Sequence, residues 1–368
     1  MVPGRFAGGV RRRGAVVLVA VPLVLVAVVT ELIGRVVLER IVIVMFINLI
    51  MVVALQMFMG NSGVVSFGHV GFMGIGAYAS ALLSMTPEIK AAALRSGYPL
   101  IEQLHLPFIP ALLAGAAVAA LIAAVIGFPL MRLSGASAVI ATFALLVIVH
   151  TVLLNWTQVT NGPRIIFGVP GHTTLWASVA FGLAAVVFGF AFKETSLGLK
   201  LRASREEEQA AASIGVNIIV VRWVAFVLSA FLTGLAGGLW AHFITIFSPA
   251  AFYLAQTFLV VTMLIVGGMG SVSGAVAGTV LITAAFEALR AFENEVNASD
   301  LLPRAFSGFT EVMLATAMIV LLVRRPAGIT GGHELRLPRR WGRHARDGRV
   351  SGVGGEAPGS EGSEGTAP

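Results

Sequence analysis

Ten apolar runs near membrane-spanning length dominate this chain and leave it few ways to fold. They cover approximately 15–33, 41–59, 64–85, 108–131, 135–154, 174–192, 219–243, 252–268, 272–290 and 309–323. A hydrocarbon core about 30 Å thick takes roughly 20 apolar residues in helical form. The runs are apolar on all faces and lack the strict alternation of a barrel strand, so helices must satisfy the backbone. With 57% hydrophobic and 12% charged residues among 368, the chain does not fit a soluble globule. The expected fold is an all-α integral membrane protein, a polytopic bundle of about ten transmembrane helices spanning 15–325.

Lysine and arginine set the expected orientation, because those retained in the cytosol fix topology. An N-in/C-in arrangement puts Arg5, Arg11, Arg12, Arg13, Arg132, Lys193, Lys200, Arg202, Arg205, Arg222 and the arginines from Arg324 to Arg349 inside. Only Arg35, Arg40, Lys90, Arg95, Arg164, Arg290 and Arg304 fall outside, a split of 18 to 7 among 25 basic residues. The net charge of +7 then matches anionic lipid head groups, and no aromatic-basic interleaving of a nucleic-acid platform occurs. Residues 1–14 form a basic cytosolic N-terminus. They resemble a signal-peptide start, but the run that follows is span-length and lacks a small-x-small cleavage site, so it reads as the first span. Residues 326–368 lose apolar content, end in GVGGEAPGSEGSEGTAP, and are expected to be a disordered cytosolic tail. Cysteine is absent, which excludes disulfides and thiolate chemistry.

The longest interior polar segment, 193–217, reads KETSLGLKLRASREEEQAAASIGVN and is expected in the cytosol. Ser204 with Glu207 three residues on predicts a capping box, with Glu206 to Glu208 in the first turn and Gly215 as the stop. Ala210, Ala211, Ala212 and Ile214 give this helix a small-residue face that a partner could approach; a solvated connector is the alternative.

Small residues at four-residue spacing predict close helix contacts, within the chain or with a second one. Ala111, Gly115, Ala119, Ala123 and Gly127 line one face, Ser229, Thr233, Gly237 and Ala241 another, and Gly274 with Gly278 a third. Polar residues at membrane depth are the default site candidates. Asn61, Ser62, Ser66 and His69 lie in the glycine-rich GNSGVVSFGHVGFMGIGAYAS, either as a tight turn with a packing histidine or as a broken helix exposing backbone to a solute. The island at 155–174 carries turn chemistry at Thr160-Asn161-Gly162-Pro163 and reads as an outer loop. His150, His242, Glu287 and Glu311 are scattered, so a metal site or proton relay is not expected.

Several blocks over roughly 40–290 resemble the permease subunits of ABC importers for branched-chain amino acids, of the LivM/LivH type. SFGHVGFMGIGAYAS at 66–80 is similar to that family's S-F-G-H-x-x-F-x-x-I-G-A-Y block, and REEEQAAASIGVN at 205–217 to its R-E-x-E-x-A-A-x-x-x-G-I-N block. FVLSAFLTGLAGGLWAH at 226–242 and VGGMGSVSGAVAG at 266–278 match later signatures in the right order. Where the family often has glutamine before the first block, this chain has Val64, and the 86–107 loop and the tail have no counterpart.

The resemblance implies a non-enzymatic inner-membrane transporter subunit of a prokaryote, both termini cytosolic, carrying leucine, isoleucine and valine by alternating access. It implies that Arg205, Glu208, Ala210, Ala211 and Gly215 form the segment that docks on the ATPase. Implied partners are a second permease, two ABC ATPase subunits and an external substrate-binding protein. No cofactor is expected on the chain itself, since it has three lysines and no G-x-x-x-x-G-K-[ST]; ATP belongs to the partner ATPases. Relatives carrying urea or short amides keep that cargo open. An ion-coupled secondary transporter would need several buried carboxylates or basic residues, which are scarce here.

Overall fold

The computed structural model describes residues 5–94, 98, 99, 103–298, 308–324, 328–332 and 334. Among these, helices account for nearly all regular structure, and the single bridge between Ile166 and Phe247 is the exception. The long helices are α1 (Arg5–Ile33), α2 (Val36–Leu55), α3 (His69–Ser84) and, after the short α4 (Pro87–Ala93), α5 (Phe108–Leu130) and α6 (Gly135–Asn155). Next come α7 (Leu175–Glu194), the polar pair α8 (Ser196–Glu206) and α9 (Glu208–Ser213), and α10 (Ile218–Ile244). The last are α11 (Leu254–Gly267), α12 (Val272–Ala298) and α13 (Phe309–Arg324).

Among the described residues, eight helices, not ten, are long and apolar enough to cross a membrane. The expected span 64–85 shortens to the 16 residues of α3, because Gly63 takes a φ of +74° and the chain from 63 to 66 is not helical. The expected span 309–323 is α13, also 16 residues. At about 1.5 Å per residue each is about 24 Å long, short of the hydrocarbon thickness. The basic residues expected to precede the first span continue α1 from Arg5 onward. Most of the expected tail, with its arginines, lies outside the described residues.

Burial sorts the helices. Every residue from Met45 to Gly60 is buried, so α2, apolar all round, is the central helix. Helices α3, α5 and α10 form the tightest group, and their small residues explain why. A Cβ placed on Gly237 would stand 2.0 Å from Met73 O, and one on Gly76 would stand 2.2 Å from Gly234 O, so α10 and α3 run backbone against backbone. Helix α5 presents Ala111, Gly115, Ala119, Ala123 and Gly127, all buried, to this pair. A Cβ on Gly115 would meet Gly76 O at 2.8 Å, and one on Gly127 the Phe226 ring at 2.7 Å. Gly274 and Gly278 of α12 face Gly267 at the end of α11, where a Cβ on Gly278 would lie 2.0 Å from Met263 O. All three small-residue faces therefore meet helices of the same chain. By contrast, α1 and α6 leave apolar stripes exposed, Val17, Val21, Leu25 and Val29 on one and Ile140, Phe143, Ile148 and Val152 on the other, which suits contact with lipid.

The loops are tied down. Asn161 and Gly162 both take left-handed φ values, 63° and 66°, making the turn the sequence chemistry predicts. Ile166 and Phe247 exchange backbone hydrogen bonds of 2.8 and 3.0 Å, and Thr173 Oγ1 donates to Leu239 O. Lys90 is fully buried on α4 and donates to Leu104 O; burial lowers its pKa below 10.5.

Candidate functional site

The run LIMVVALQMFMG places Gln56 in an apolar stretch, and there α2 widens into a π-helical turn, Gln56–Gly60. Such bulges recur at functional sites. Gln56 is fully buried with both amide atoms unpaired. Asn61 follows, its Nδ2 donating to Met57 O at 2.9 Å and Gln56 O at 3.3 Å, while its Oδ1 is unpaired. The bulge is pressed against the α11–α12 turn, where Met269 O would lie 2.1 Å from a Cβ on Gly60. Ser62 Oγ accepts from Val64 N, and Phe67 N donates to Thr142 Oγ1 of α6, so side chains replace the helical bonds this loop forgoes.

His69 opens α3 with both ring nitrogens engaged. Ser229 Oγ gives its own proton to Phe226 O, so it accepts from His69 Nε2–H at 2.7 Å, which leaves Nδ1 to accept from Ser66 at 2.9 Å. The rings of Phe58, Phe72 and Phe226 surround it with centroids 5.6, 6.3 and 5.3 Å away. Asn61, Ser62, Ser66 and His69 are all at most 2% exposed. Ser66 and His69 thus belong to one bonded set linking α3 to α10, whereas Ser62 belongs to a different surrounding.

That surrounding is the polar pair α8–α9. The expected capping box does not form: Ser204 lies inside α8 and its hydroxyl donates to Leu201 O at 2.7 Å. Thr195 is the actual cap, accepting from Gly198 N at 3.1 Å, and it starts the helix earlier because Leu201, fully buried, anchors this stretch to the bundle. Extended backbone at Glu207 then breaks the segment into two helices. Gly215, at φ +82° with no atom within 4 Å of a notional Cβ, closes α9, with Val216 N returning to Ala211 O at 3.1 Å. On α9, Ala211 turns inward while Ala210 and Ala212 are exposed; beyond it, Ile214 is 77% exposed, an apolar side chain on a polar segment.

Two arginines fasten this segment to the spans. Arg205 Nη1 donates to Gly60 O at 2.6 Å, reaching the π-helical turn. Glu208 pairs with Arg222, a nearly buried residue near the start of α10. Between these ties lies a pocket of about 270 Å³ lined by Ser62, Ser204, Arg205, Glu208 and Arg222, with Val139 of α6 on its wall. The candidate pathway residue Ser62 and the candidate coupling residues Arg205 and Glu208 therefore share one site. Ala210 and Gly215 do not line it.

A third tie uses the chain beyond α13. Ile329 N and Thr330 N donate to Val266 O and Gly267 O at 2.9 and 3.3 Å. Glu334 accepts from Lys193 Nζ at 2.6 Å, from the amides of Val272 and Ser273 at 3.0 and 3.1 Å, and from Ser273 Oγ at 2.8 Å. Burial opposes its ionisation, but the Lys193 ammonium and these hydrogen bonds outweigh burial and hold the carboxyl below its ordinary 4.5. Sequence reasoning missed Gln56 and Glu334 altogether, and it read Arg222 only as an inside charge and Ser229 only as a packing residue. A polar residue within an apolar run was the available signal for Gln56 and Arg222; Glu334 gave none. Among the described residues no group of three or more potential metal ligands gathers.

The family model described as "Branched-chain amino acid transport system / permease component" matches residues 37–323. The high-affinity branched-chain amino acid transport system permease protein LivM of Escherichia coli (strain K12) is 28% identical over 317 residues, covering 77% of this chain and 67% of that protein. LivM of Salmonella typhimurium is 27% identical with the same coverage. A nucleoside ABC transporter permease protein, NupC, of Lactococcus lactis is 35% identical over 74 residues, 20% of this chain and 23% of its own. No solved structure matches the chain significantly.

Proposed function

Because this chain belongs to the family of permease components of branched-chain amino acid transport systems, we propose that it is the membrane-spanning subunit of an ATP-driven importer of leucine, isoleucine and valine. The observation that carries this reading is the family match across 37–323, which takes in every long apolar helix after α1. The chain is a transporter subunit, and the energy source belongs to separate ABC ATPase subunits. A second permease and a substrate-binding protein outside the membrane complete the proposed assembly, with both termini of this chain in the cytosol of a prokaryote.

The geometry suggests how force would enter. An ATPase seated on the exposed side of α9 and on Ile214 would push on α8–α9. The Arg205 contact passes that push to α2 at its π-helical turn, and the Glu208–Arg222 pair passes it to α10. Helix α10 holds α3 through Ser229 and His69, so both walls flanking the 61–68 loop receive the displacement. Asn61, Ser62, Ser66 and His69 are the residues proposed to lie along the solute's route.

The test is co-purification with neighbouring subunits followed by uptake into reconstituted vesicles with and without internal ATP. Co-purified ATPase with ATP-dependent leucine uptake supports the whole reading. ATP-dependent uptake of urea, acetamide or a nucleoside alone keeps the mechanism and changes the cargo. Uptake by the lone chain from an ion gradient overturns it.

A further inference from the structure

The pocket between the 62–65 loop, α6 and the α8–α9 junction has a composition that transmission of force does not require. Arg205 and Arg222 bring two positive charges to its wall and Glu208 one negative charge, so one positive charge is left unbalanced. Arg222 is only 4% exposed, and its Nε is a buried donor without a partner. Its terminal nitrogen goes to Glu208, which is a partner for one edge of the guanidinium and not for Nε. Ser62 lines the same wall; its Oγ accepts from Val64 N and its own proton is left to donate. A buried donor without an acceptor costs about 1–3 kcal/mol, and such a group calls for an explanation, one of which is a water or ion that pairs with it. Pockets that bury drug-sized ligands measure about 300–1,000 Å³, so one of about 270 Å³ suits a smaller molecule.

We propose that this pocket binds a small oxyanion, taken up by Arg205, Arg222 and Ser62 on the side of the chain that carries α8 and α9. Guanidinium groups favour this chemistry, since their planar N–H donors match carboxylate and phosphate oxygens. Two sources supply it: the carboxylate of an amino acid on its way through the chain, and inorganic phosphate released by hydrolysis on a neighbouring subunit. The first source rests on the proposed cargo and the second does not. A bound oxyanion would compete with Glu208 for Arg222 and so loosen the tie between α9 and α10.

Equilibrium dialysis of the detergent-purified chain with radiolabelled leucine and, separately, with radiolabelled inorganic phosphate tests the proposal. Wild type is compared with Arg205→Gln, Arg222→Gln and Val139→Phe; the last fills the pocket without touching a charge and covers the case in which a charge variant fails to fold. The expected result is saturable binding of one ligand, weakened at least tenfold in Val139→Phe and in each arginine variant that folds. Leucine binding that excess phosphate does not displace assigns the carboxylate source, and phosphate binding without leucine binding assigns the other. No saturable binding of either ligand, or binding equal in wild type and Val139→Phe, overturns the proposal. ATP-driven uptake with no such binding would sink this inference alone, while binding without ATP-driven uptake would sink the transport reading alone.

Discussion

Replacing Gly237 with alanine should cost this bundle more than its one added methyl suggests. The new Cβ would stand 2.0 Å from Met73 O, 2.8 Å from Met73 C and 3.1 Å from Ala77 N, and all three atoms are backbone of α3. Ordinary contact begins near 3.4 Å, so α3 and α10 would have to part by roughly 1.4 Å at this point, with no flexible side chain to yield instead. The parting would also disturb the reciprocal contact of Gly76 with Gly234 and the His69–Ser229 hydrogen bond. Overpacking in a well-packed interior typically costs about 1–3 kcal/mol, and a methyl driven into unyielding backbone belongs at the upper end. The control is Gly171→Ala, whose Cβ would meet its nearest atom, Thr245 Cγ2, at 3.4 Å. Thermal unfolding of the purified protein in one detergent should show Gly237→Ala several degrees below Gly171→Ala. Equal midpoints would refute the close approach of α3 and α10.

Gly215→Val places a β-branched residue at φ +82°, a backbone cost of about 1–2 kcal/mol, at a position where no neighbour lies within 4 Å of the new Cβ; on the proposed function the protein should assemble but import less per ATP hydrolysed, and normal coupling would remove Gly215 from that role. His69→Leu leaves Ser66 without its ring partner and should cost about 1–3 kcal/mol; if the folded protein then imports at an unchanged rate, and Ser66→Leu does too, the route runs elsewhere. Because the Glu334 carboxyl is held below 4.5 in the folded chain, its contribution is present above that pH and lost as pH falls through the lower folded value. The protection factors of the Ile329 and Thr330 amides, each exchange rate taken relative to the intrinsic rate at the same pH, should therefore be high at neutral pH and fall in acid, and should be low throughout in Glu334→Gln; pH-independent protection in wild type would remove the carboxylate from the account.

Much of the bundle was legible because period and length act locally. Apolar runs marked α5, α6, α7 and α10 to within two residues and α2 to within five, and four-residue spacing marked Gly115, Gly127, Gly237, Gly274 and Gly278 as contact points. What failed were competitions between signals of similar strength. Ser204 and Glu207 satisfied the capping pattern, but burial of Leu201 drew the helix start back to Thr195. Val64 and Val65 extended an apolar run, yet Gly63 at positive φ kept them out of the helix. Which partners the polar residues would find was not legible at all, because Ser229 and Arg222 reach His69 and Glu208 only through the tertiary packing of α10.

The 61–68 loop and the residue just ahead of it keep their backbone paired through side chains of the loop itself and of two helices: Ser62 serves Val64, Thr142 of α6 serves Phe67, and Arg205 of α8 serves Gly60. A helix changes shape by surrendering a turn of mutually dependent bonds, whereas bonds of this kind are exchanged singly, the two neutral ones at about 0.5–1.5 kcal/mol net and the one from the Arg205 guanidinium at about 1.5–3 kcal/mol. The loop is thus a stepwise joint in an otherwise all-or-none frame. Its increments can be taken one at a time, so a displacement of α8–α9 need not break them all together.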